Sequence, residues 1–384
     1  MDFLNLYPEA FGLDISDLSL KIVKLKSSKN FWGQEERNFE LACYGAFPIA
    51  PGIIEKGEIK NKEALAKTIK EALRKVKGEK LKTNYVIASL PEEKAFLEII
   101  PMPKIEEKQL KKAVRFEAEN YIPLPIETVY LDSQIVPPLK NSSNHLEVLI
   151  AALPKKIIDT YVSCLSMAGL TPLAMEIESQ SISRALIKNE TSANPLLLID
   201  FGALRTGLIV FFGHSLQFTT SIPISSQKIT EAISKNLKID FKKAEKMKLS
   251  YGLETPKVVR LRGEKEGKFE KTITEDKQIF EAIIPILTDL TEQIKKYMDY
   301  YQSHTKQHRL SSNGKTIEKI LFCGGGANLN GLCRFLSDEL KIPVVLGNPW
   351  INVSEKPPLP LNESLKYTTA IGLALRGIME KSND

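Results

Sequence analysis

The chain has 384 residues, 43% hydrophobic and 26% charged, a globular mix long enough for two or more domains. Its net charge of +6 comes from lysines interspersed with acidic residues and no basic block interleaved with aromatics, which argues against nucleic-acid binding and allows at most a weak attraction to an anionic membrane surface. Four scattered cysteines (Cys43, Cys164, Cys323, Cys333) make no CxxC pair, the opening MDFLNLYPEAFG lacks a basic n-region, and no run of about eighteen apolar residues exists, so a soluble, cytoplasmic protein without disulfides, signal peptide or spanning helix is expected.

In chain order, FGLDISDLSLKIVKLK (residues 11–26) reads as strand, tight turn, strand, with a third strand over 41–49. Residues 62–77 put Leu65, Ile69, Ala72, Leu73 and Val76 on one helical face and lysines on the other, with Gly78 as the stop. NYVIASLP is a buried strand. AFLEIIPMP then reads as a strand, 105–122 as a helix closed by Pro123 and Pro125, TVYLDSQIV as a half-buried strand, KNSSN as a loop and HLEVLIAALP as a strand. KKIIDTYVSCLSMAGL is a helix ending at Gly169, and TPLAMEIES is a strand leading to a short helix near SQSISRAL. LLLIDFGALRTGLIVFF (196–212) repeats the opening pattern, and LQFTTSIPI follows across the turn GHS. Helices are expected over 227–237, 242–249 and, longest, 278–301, with 262–277 as an exposed charged loop. KILFCGGGANL is a strand ending in glycines, NGLCRFLSDEL a helix, PVVLGNPW a strand and turn, SEKPPLPLNES a loop and YTTAIGLALRGI a final helix.

The two strand-turn-strand units align. Leu13-Asp14-Ile15-Ser16 and Ile199-Asp200-Phe201-Gly202 each close an apolar strand with Asp, place a small residue two positions later and return as a strand. A repeat of more than 180 residues argues for duplicated domains. Such a turn lets backbone N–H groups and hydroxyls approach phosphate, and a carboxylate at the strand end can hold a hydrated Mg2+ beside them. The same turns also read as ordinary hairpins whose Asp caps the turn. Gly324-Gly325-Gly326-Ala327, between a strand and a helix, allows close backbone approach to an anion, although a plain strand-to-helix turn uses glycine too.

With these motifs in this order the chain resembles the actin-like ATPase superfamily, which includes the sugar kinases, the bacterial cytoskeletal proteins and FtsA. It is similar above all to the PilM family of type IV pilus assembly-platform proteins, on FGLDISDLSLKIVKL, RFEAENYIPLPIETVYLDSQIV, AGLTPLAMEIES, YMDYY and GGGANLNGLCRFLSDELKIPVVLGNPW. The resemblance covers essentially the whole chain. It implies an α/β actin-like ATPase fold of duplicated ribonuclease H-like domains with an inserted small α+β domain as in FtsA. Residues 1–87, completed by 174–192 and 362–378, would form subdomain 1A; 88–173 the inserted domain; 193–225 with 313–361 subdomain 2A; and 226–312 subdomain 2B.

The resemblance further implies ATP and Mg2+ in the central cleft. Asp14, Ser16, Ser19 and Lys21 would form the first phosphate hook, Asp200, Gly202, Arg205 and Thr206 the second, and Gly324, Gly325, Gly326 and Ala327 the floor under the adenosine. Asp14 and Asp200 would hold the metal through water. Glu245 and Lys248, at i and i+3 in AEKMK, would meet ribose and adenine, or else form a solvated charged face. Two positions depart from the family: Ser16 stands where glycine is usual, and Asp17 where a small neutral residue is usual, so the Asp17 carboxylate must turn outward or bind the metal. Glu178 is the candidate by position for activating water, with a surface or hinge role as its alternative. The implied partner is the N-terminal cytoplasmic peptide of the inner-membrane protein PilN, docked in a groove near the inserted domain, with other platform components beside it. The implied role is an ATP-binding scaffold with at most weak ATPase activity, peripheral at the cytoplasmic membrane through its partners.

The rivals are an FtsA-like polymer former and a small-molecule kinase of the same superfamily. His304 and His308, at i and i+4 without a neighbouring carboxylate, read as a frayed helix end. His145 and His214 fall in turns, and Tyr297, Tyr300 and Tyr301 read as packing.

Overall fold

The computed structural model describes residues 8–29, 35–104, 107–137, 145–253, 275–308 and 316–379. The first sheet grows from strand β1 (Ala10–Ser16), antiparallel to β2 (Ser19–Lys29), which pairs with β3 (Glu35–Pro48). On the other side β1 runs parallel to β4 (Tyr85–Leu90), and β4 runs parallel to β8 (Thr171–Ile177). β1 is covered on both faces, so its sequence is an almost unbroken apolar run rather than an alternation. Helix α1 (Lys62–Arg74) and α3 (Lys155–Met167) cover one face through Leu65, Ile69, Tyr161 and Leu165.

Between β4 and α3 the chain builds a separate three-stranded sheet in the order β5-β7-β6: β5 (Phe96–Pro103), β6 (Val129–Val136) and β7 (His145–Pro154). Helix α2 (Glu107–Ala118) lies on it, and Ile100, Met102, Val114, Ala118, Val148 and Ile150 form a core of their own. The sequence reading assigns 88–173 to this unit. The packing counts α3 with the first sheet, because Tyr161, Cys164 and Leu165 lie in that core, and β4 belongs to that sheet throughout.

The second half repeats the first. α4 (Glu178–Leu186) leads to β9 (Ser192–Phe201), β10 (Thr206–Gly213) and β11 (Ser215–Ile222). Helices α5 (Ser226–Leu237), α6 (Phe241–Tyr251) and α7 (Glu275–His308) follow, then β12 (Lys319–Cys323), α8 (Leu332–Leu340) and β13 (Val344–Leu346). The sheet order is β11-β10-β9-β12-β13, which matches β3-β2-β1-β4-β8 strand for strand. The register repeats as well: Asp14 faces Lys21, and Asp200 faces Gly207.

The last helix, α9 (Thr368–Met379), returns to the first half and lies against β1, β2 and α4. Thr368 through Leu375 are all buried, which explains its apolar character all round. Two glycines make the close approach. A Cβ on Gly12 would meet the Ala374 amide nitrogen at 2.7 Å, and one on Gly372 would meet the Ser181 Cα at 2.9 Å with its carbonyl nearer still. Beside this contact the buried Glu176 carboxylate pairs with Arg184 and, at 2.9 Å, with Arg376 of α9.

Several expected elements end elsewhere. α1 stops at Arg74, so Val76 lies outside it, and Lys77–Gly78 instead pairs with Cys43 and Tyr44 as an edge strand; Gly78 takes φ +95°. α2 ends at Ala118, a full turn before the prolines, and α4 starts at Glu178 directly after β8. Of the expected loop 262–277, residues 275–277 instead begin α7; residues 262–274, the loop KNSSN and the side chains of His145, His304 and His308 lie outside the described residues. The four cysteines are free thiols. Among the described residues no helix is long and apolar enough to cross a membrane.

The glycine contacts yield a direct test. Gly372→Ala forces a methyl into the Ser181 backbone and is expected to lower unfolding free energy by about 1–3 kcal/mol, read by urea denaturation, while Gly169→Ala, whose Cβ meets nothing within 4 Å, pays only for its φ of +82°.

Candidate functional site

β1–β2 and β9–β10 turn where Asp14 and Asp200 stand, and the charges of Asp14 and Lys21 in the first turn act on Asp200 in the second. In the first, Asp14 is buried at the end of β1 and accepts from Lys21 Nζ at 2.8 Å. Lys21 Nζ also donates to Ser16 Oγ at 3.1 Å, and the hydroxyls of Ser16 and Ser89 each donate to Asp14 Oδ1 at 3.4 Å. Ser89, one strand over on β4, meanwhile accepts from the Ile15 amide at 2.9 Å and so fixes the strand end. Ser19 sits half-buried opposite Ser16.

Asp17 does not face this turn. Its carboxylate accepts from the amides of Lys56 and Gly57, both at 3.0 Å, where Lys56 and Gly57 have φ of +49° and +74°. A side chain that would repel phosphate is spent on tying down a neighbouring loop. That resolves the departure at this position: the carboxylate turns away from the hook.

In the second turn, Asp200 ends β9 half-buried, and Gly202 closes the turn with its amide on the Arg205 carbonyl at 3.0 Å. The Gly202 and Ala203 carbonyls accept the first amides of α5, from Ser226 at 3.0 Å and Gln227 at 3.1 Å. Arg205 crosses to the first half and pairs with Glu93. Thr206 departs from the expected phosphate contact: it is fully buried, and its hydroxyl donates to the Ile224 carbonyl at 2.6 Å, which holds the turn from below.

The glycine turn packs against the second hook. Gly324 takes φ +84°, and a Cβ there would run into Asp200 and the Phe201 carbonyl; one on Gly326 would meet Phe201 Cδ1 at 2.7 Å and Ser226 Cβ at 2.8 Å. Gly325 is different: its nearest neighbour would be Lys366 Cβ at 4.0 Å, so it presents bare backbone to an open side. Ala327 is buried in the second core. Beside this turn, Lys248 is buried on α6 and donates to Ser226 Oγ at 2.8 Å, Thr230 Oγ1 at 2.9 Å and Glu245 at 2.8 Å. Glu245 also accepts from the Thr230 hydroxyl. The solvated-face alternative for this pair fails at Lys248, which is enclosed, with Glu245 at its rim.

The electrostatics are those of crowded carboxylates in a poorly hydrated cleft. Burial, helped by Asp14 and Glu92 and opposed by Lys21 and Arg205, pushes Asp200 up to about 6. Burial, with Asp14, Asp200 and Glu92 nearby and Arg205 opposing, pushes Glu178 up to about 8. Burial works to lower Lys21, but Asp14 outweighs it and holds the ammonium above its usual range. Burial lowers Lys248 despite Glu245, and raises Glu92.

Sequence reading missed Glu92 and Glu93, which follow β4 in PEEK. Glu92 is buried, accepts the Ser179 amide at 3.0 Å, and its own amide reaches Glu178 Oε2 at 3.4 Å. A cavity of about 20 Å3, room for about one water, lies among Glu92, Glu178, Asp200, Arg205 and Ser221. Only the Pro-Glu-Glu directly after a buried strand hinted at them.

Comparison with known proteins places this geometry. The family model for the type IV pilus assembly protein PilM matches residues 12–257, and the model for the cell division protein FtsA matches 197–372. A solved PilM-PilN type IV pilus biogenesis complex is 27% identical, covers 97% of this chain and 99% of its own, and superposes with a TM-score of 0.76. MreB5 of Spiroplasma citri bound to AMPPNP, 14% identical with 97% of this chain and 96% of its own covered, superposes at 0.53 and shares the fold. FtsA of Streptococcus pneumoniae is 23% identical over 97% of this chain and 83% of its own length. FtsA of Buchnera aphidicola is 24% identical over 61% of this chain, which spans just over half (55%) of that relative. The fold is thus that of the actin-like ATPases, and with a matching model over nearly two thirds of its length the chain belongs to the PilM family of type IV pilus assembly proteins.

Proposed function

We propose that the protein binds ATP in the cleft between its two Asp-ended hairpins and docks the N-terminal cytoplasmic peptide of a PilN-like membrane protein, acting as a scaffold in type IV pilus assembly. The observation that carries the nucleotide reading is a chain of adjacent groups: Asp14 and Lys21 of the first hairpin act on Asp200 of the second, the glycine turn packs against Asp200 and Ser226, and Lys248 reaches the same Ser226. A nucleotide fits this set: Gly325 offers a face without a side chain, and Lys21 and Arg205 offer cations that now neutralise Asp14 and Glu93. The MreB5 relative carries AMPPNP in its solved structure, which supports the reading.

Bound ATP would supply the phosphate charge and Mg2+ the countercharge. Among the described residues no three His, Cys, Asp or Glu side chains are placed to ligate a metal directly, so Asp14 and Asp200 would hold it through water. Burial pushes Glu178 toward its protonated form in the ligand-free cleft, which disfavours it as a base and fits binding with at most weak hydrolysis.

For the peptide, the structure offers a groove of about 370 Å3 between the inserted sheet and the first sheet. β6 and β8, both outermost in their sheets, form its walls, with Tyr130, Leu131, Leu153, Ile158, Leu173 and Met175 as the apolar lining. Tyr130 and Leu173 are large and exposed, as anchor sites for a mostly apolar segment should be. The PilM-PilN relative supports this partner. Cleft and groove share a wall: Leu90, Ile177 and Gln180 line the groove, while Glu92, Glu178 and Ser179 line the cavity behind the hairpins. Nucleotide state would therefore act on the groove through domain closure at these two segments.

Calorimetry with Mg-ATP should give heat and a thermal shift. Lys248→Ala should weaken binding roughly tenfold or more, and Glu93→Gln, which releases Arg205, should tighten it, since hydrogen bonds to charged groups are worth about 1.5–3 kcal/mol; no heat with the unaltered chain removes the nucleotide. A PilN N-terminal peptide should bind the unaltered chain and be lost in Leu173→Asp with ATP binding intact; a peptide retained by that variant moves the docking site elsewhere. A last test concerns pH. Glu178 and Asp200 lie above their ordinary values of 4.5 and 3.8, so the folded protein holds more protons and loses stability as pH rises through about 6 and about 8. The ligand-free melting temperature should fall across that window, and Glu178→Gln should flatten the fall.

A further inference from the structure

The positive charge of this chain is not spread evenly. Residues 62–82 hold eight Lys or Arg and three Glu, a net +5 within a chain whose total is +6. On α1, Lys67, Lys70 and Arg74 follow one another at helical spacing along the face opposite the buried Leu65, Ile69 and Ala72. Past the helix, Lys75, Lys77, Lys80 and Lys82 continue at the outer edge of the first sheet, beyond β3. All seven are exposed, and among the described residues none is held in an ion pair; Lys77 lies over the Tyr44 ring at 5.9 Å. The acidic Glu79 in their midst is neutralised by Lys26 at 2.6 Å.

We propose that this face is a docking surface for an anionic lipid bilayer. The charge is supplied by six lysines and one arginine on a convex helix and a sheet edge. No aromatic residue lies within 62–82 to stack a base, so a planar field of headgroup phosphates fits better than a nucleic acid. α1 packs against α3 on one face of the first sheet; Ile158 of α3 lines the peptide groove at the β8 edge, and the basic residues beyond α1 occupy the opposite edge, so the two surfaces do not overlap. The proposal needs neither nucleotide nor peptide, and its failure would leave both untouched.

The test is flotation of the full chain with vesicles of phosphatidylcholine alone and of phosphatidylcholine mixed with phosphatidylglycerol. Binding is expected only to the anionic vesicles, weakening as salt is raised. The triple variant Lys67→Glu, Lys70→Glu, Arg74→Glu should bind at least about tenfold more weakly, given roughly fivefold per basic residue at a charged surface. A second set outside the helix, Lys77→Gln, Lys80→Gln and Lys82→Gln, should weaken binding in the same direction even where the first set impairs folding. Equal binding to neutral vesicles, no binding to either, or unchanged binding by both variants overturns the proposal. Displacement from the vesicles by duplex DNA at matching salt sensitivity assigns the face to nucleic acid instead.

Discussion

Two buried strands deliver carboxylates to one cleft, and the repulsion between those carboxylates sets what surrounds them. Asp14 is tolerable because Lys21 returns on the next strand at the facing register position. Asp200 has Gly207 at the equivalent position, so no cation faces it in register, and burial shifts it toward protonation against the opposition of Lys21 and Arg205. Glu92, Glu93 and Glu178 add to the same field, and Arg205 is the second cation that offsets it. The two hairpins match in backbone and differ in charge partner: the first is internally paired, and the second is paired across the cleft.

That asymmetry gives the halves different jobs. The first hairpin holds its cation beside its carboxylate. The second sends Arg205 to the segment that leads from β4 into the inserted sheet, and so ties the two halves together through Glu93. This segment and the start of α4 meet at the Glu92–Ser179 and Glu178–Glu92 hydrogen bonds, while Leu90 just before the segment and Gln180 of α4 line the groove. α9, inserted against β1 by Gly12 and Gly372, locks the same α4 from behind, and Glu176 joins β8, α4 and α9 through two arginines. Strands, helices and charges thus converge on α4, which borders cavity, groove and core.

Much of this was legible from residue patterns. The duplicated hairpins were visible because an Asp inside an apolar run is conspicuous and because both copies carry it. The glycine turn was visible because three consecutive glycines between strand and helix have few other uses. The end of α1 was misread because Val76 continues the apolar period, while the real stop is the pairing of Lys77–Gly78 with β3, a non-local contact. Thr206 was misread because a hydroxyl beside a turn looks available; its burial under Ile224 depends on how β10 and the chain after β11 lie together. Glu92 and Glu93 were overlooked because exposed Glu is common in sequence, and only the closing of the two halves encloses them.

The sequence by itself determined the periodicities, and through them the strands, the helices, the repeat and the motifs that mark the family, since these depend on neighbours a few residues apart. Tertiary structure alone decided the charge partners. Lys21 on Asp14 is local, but Arg205 on Glu93, Asp17 on the amides of Lys56 and Gly57, and Glu176 on Arg376 join residues 39 to 200 positions apart. Whether Asp17 repels a phosphate or ties a loop depends on where its carboxylate points, and packing fixes that direction. Charge acts through space, and the order of residues along the chain does not fix distances of that kind.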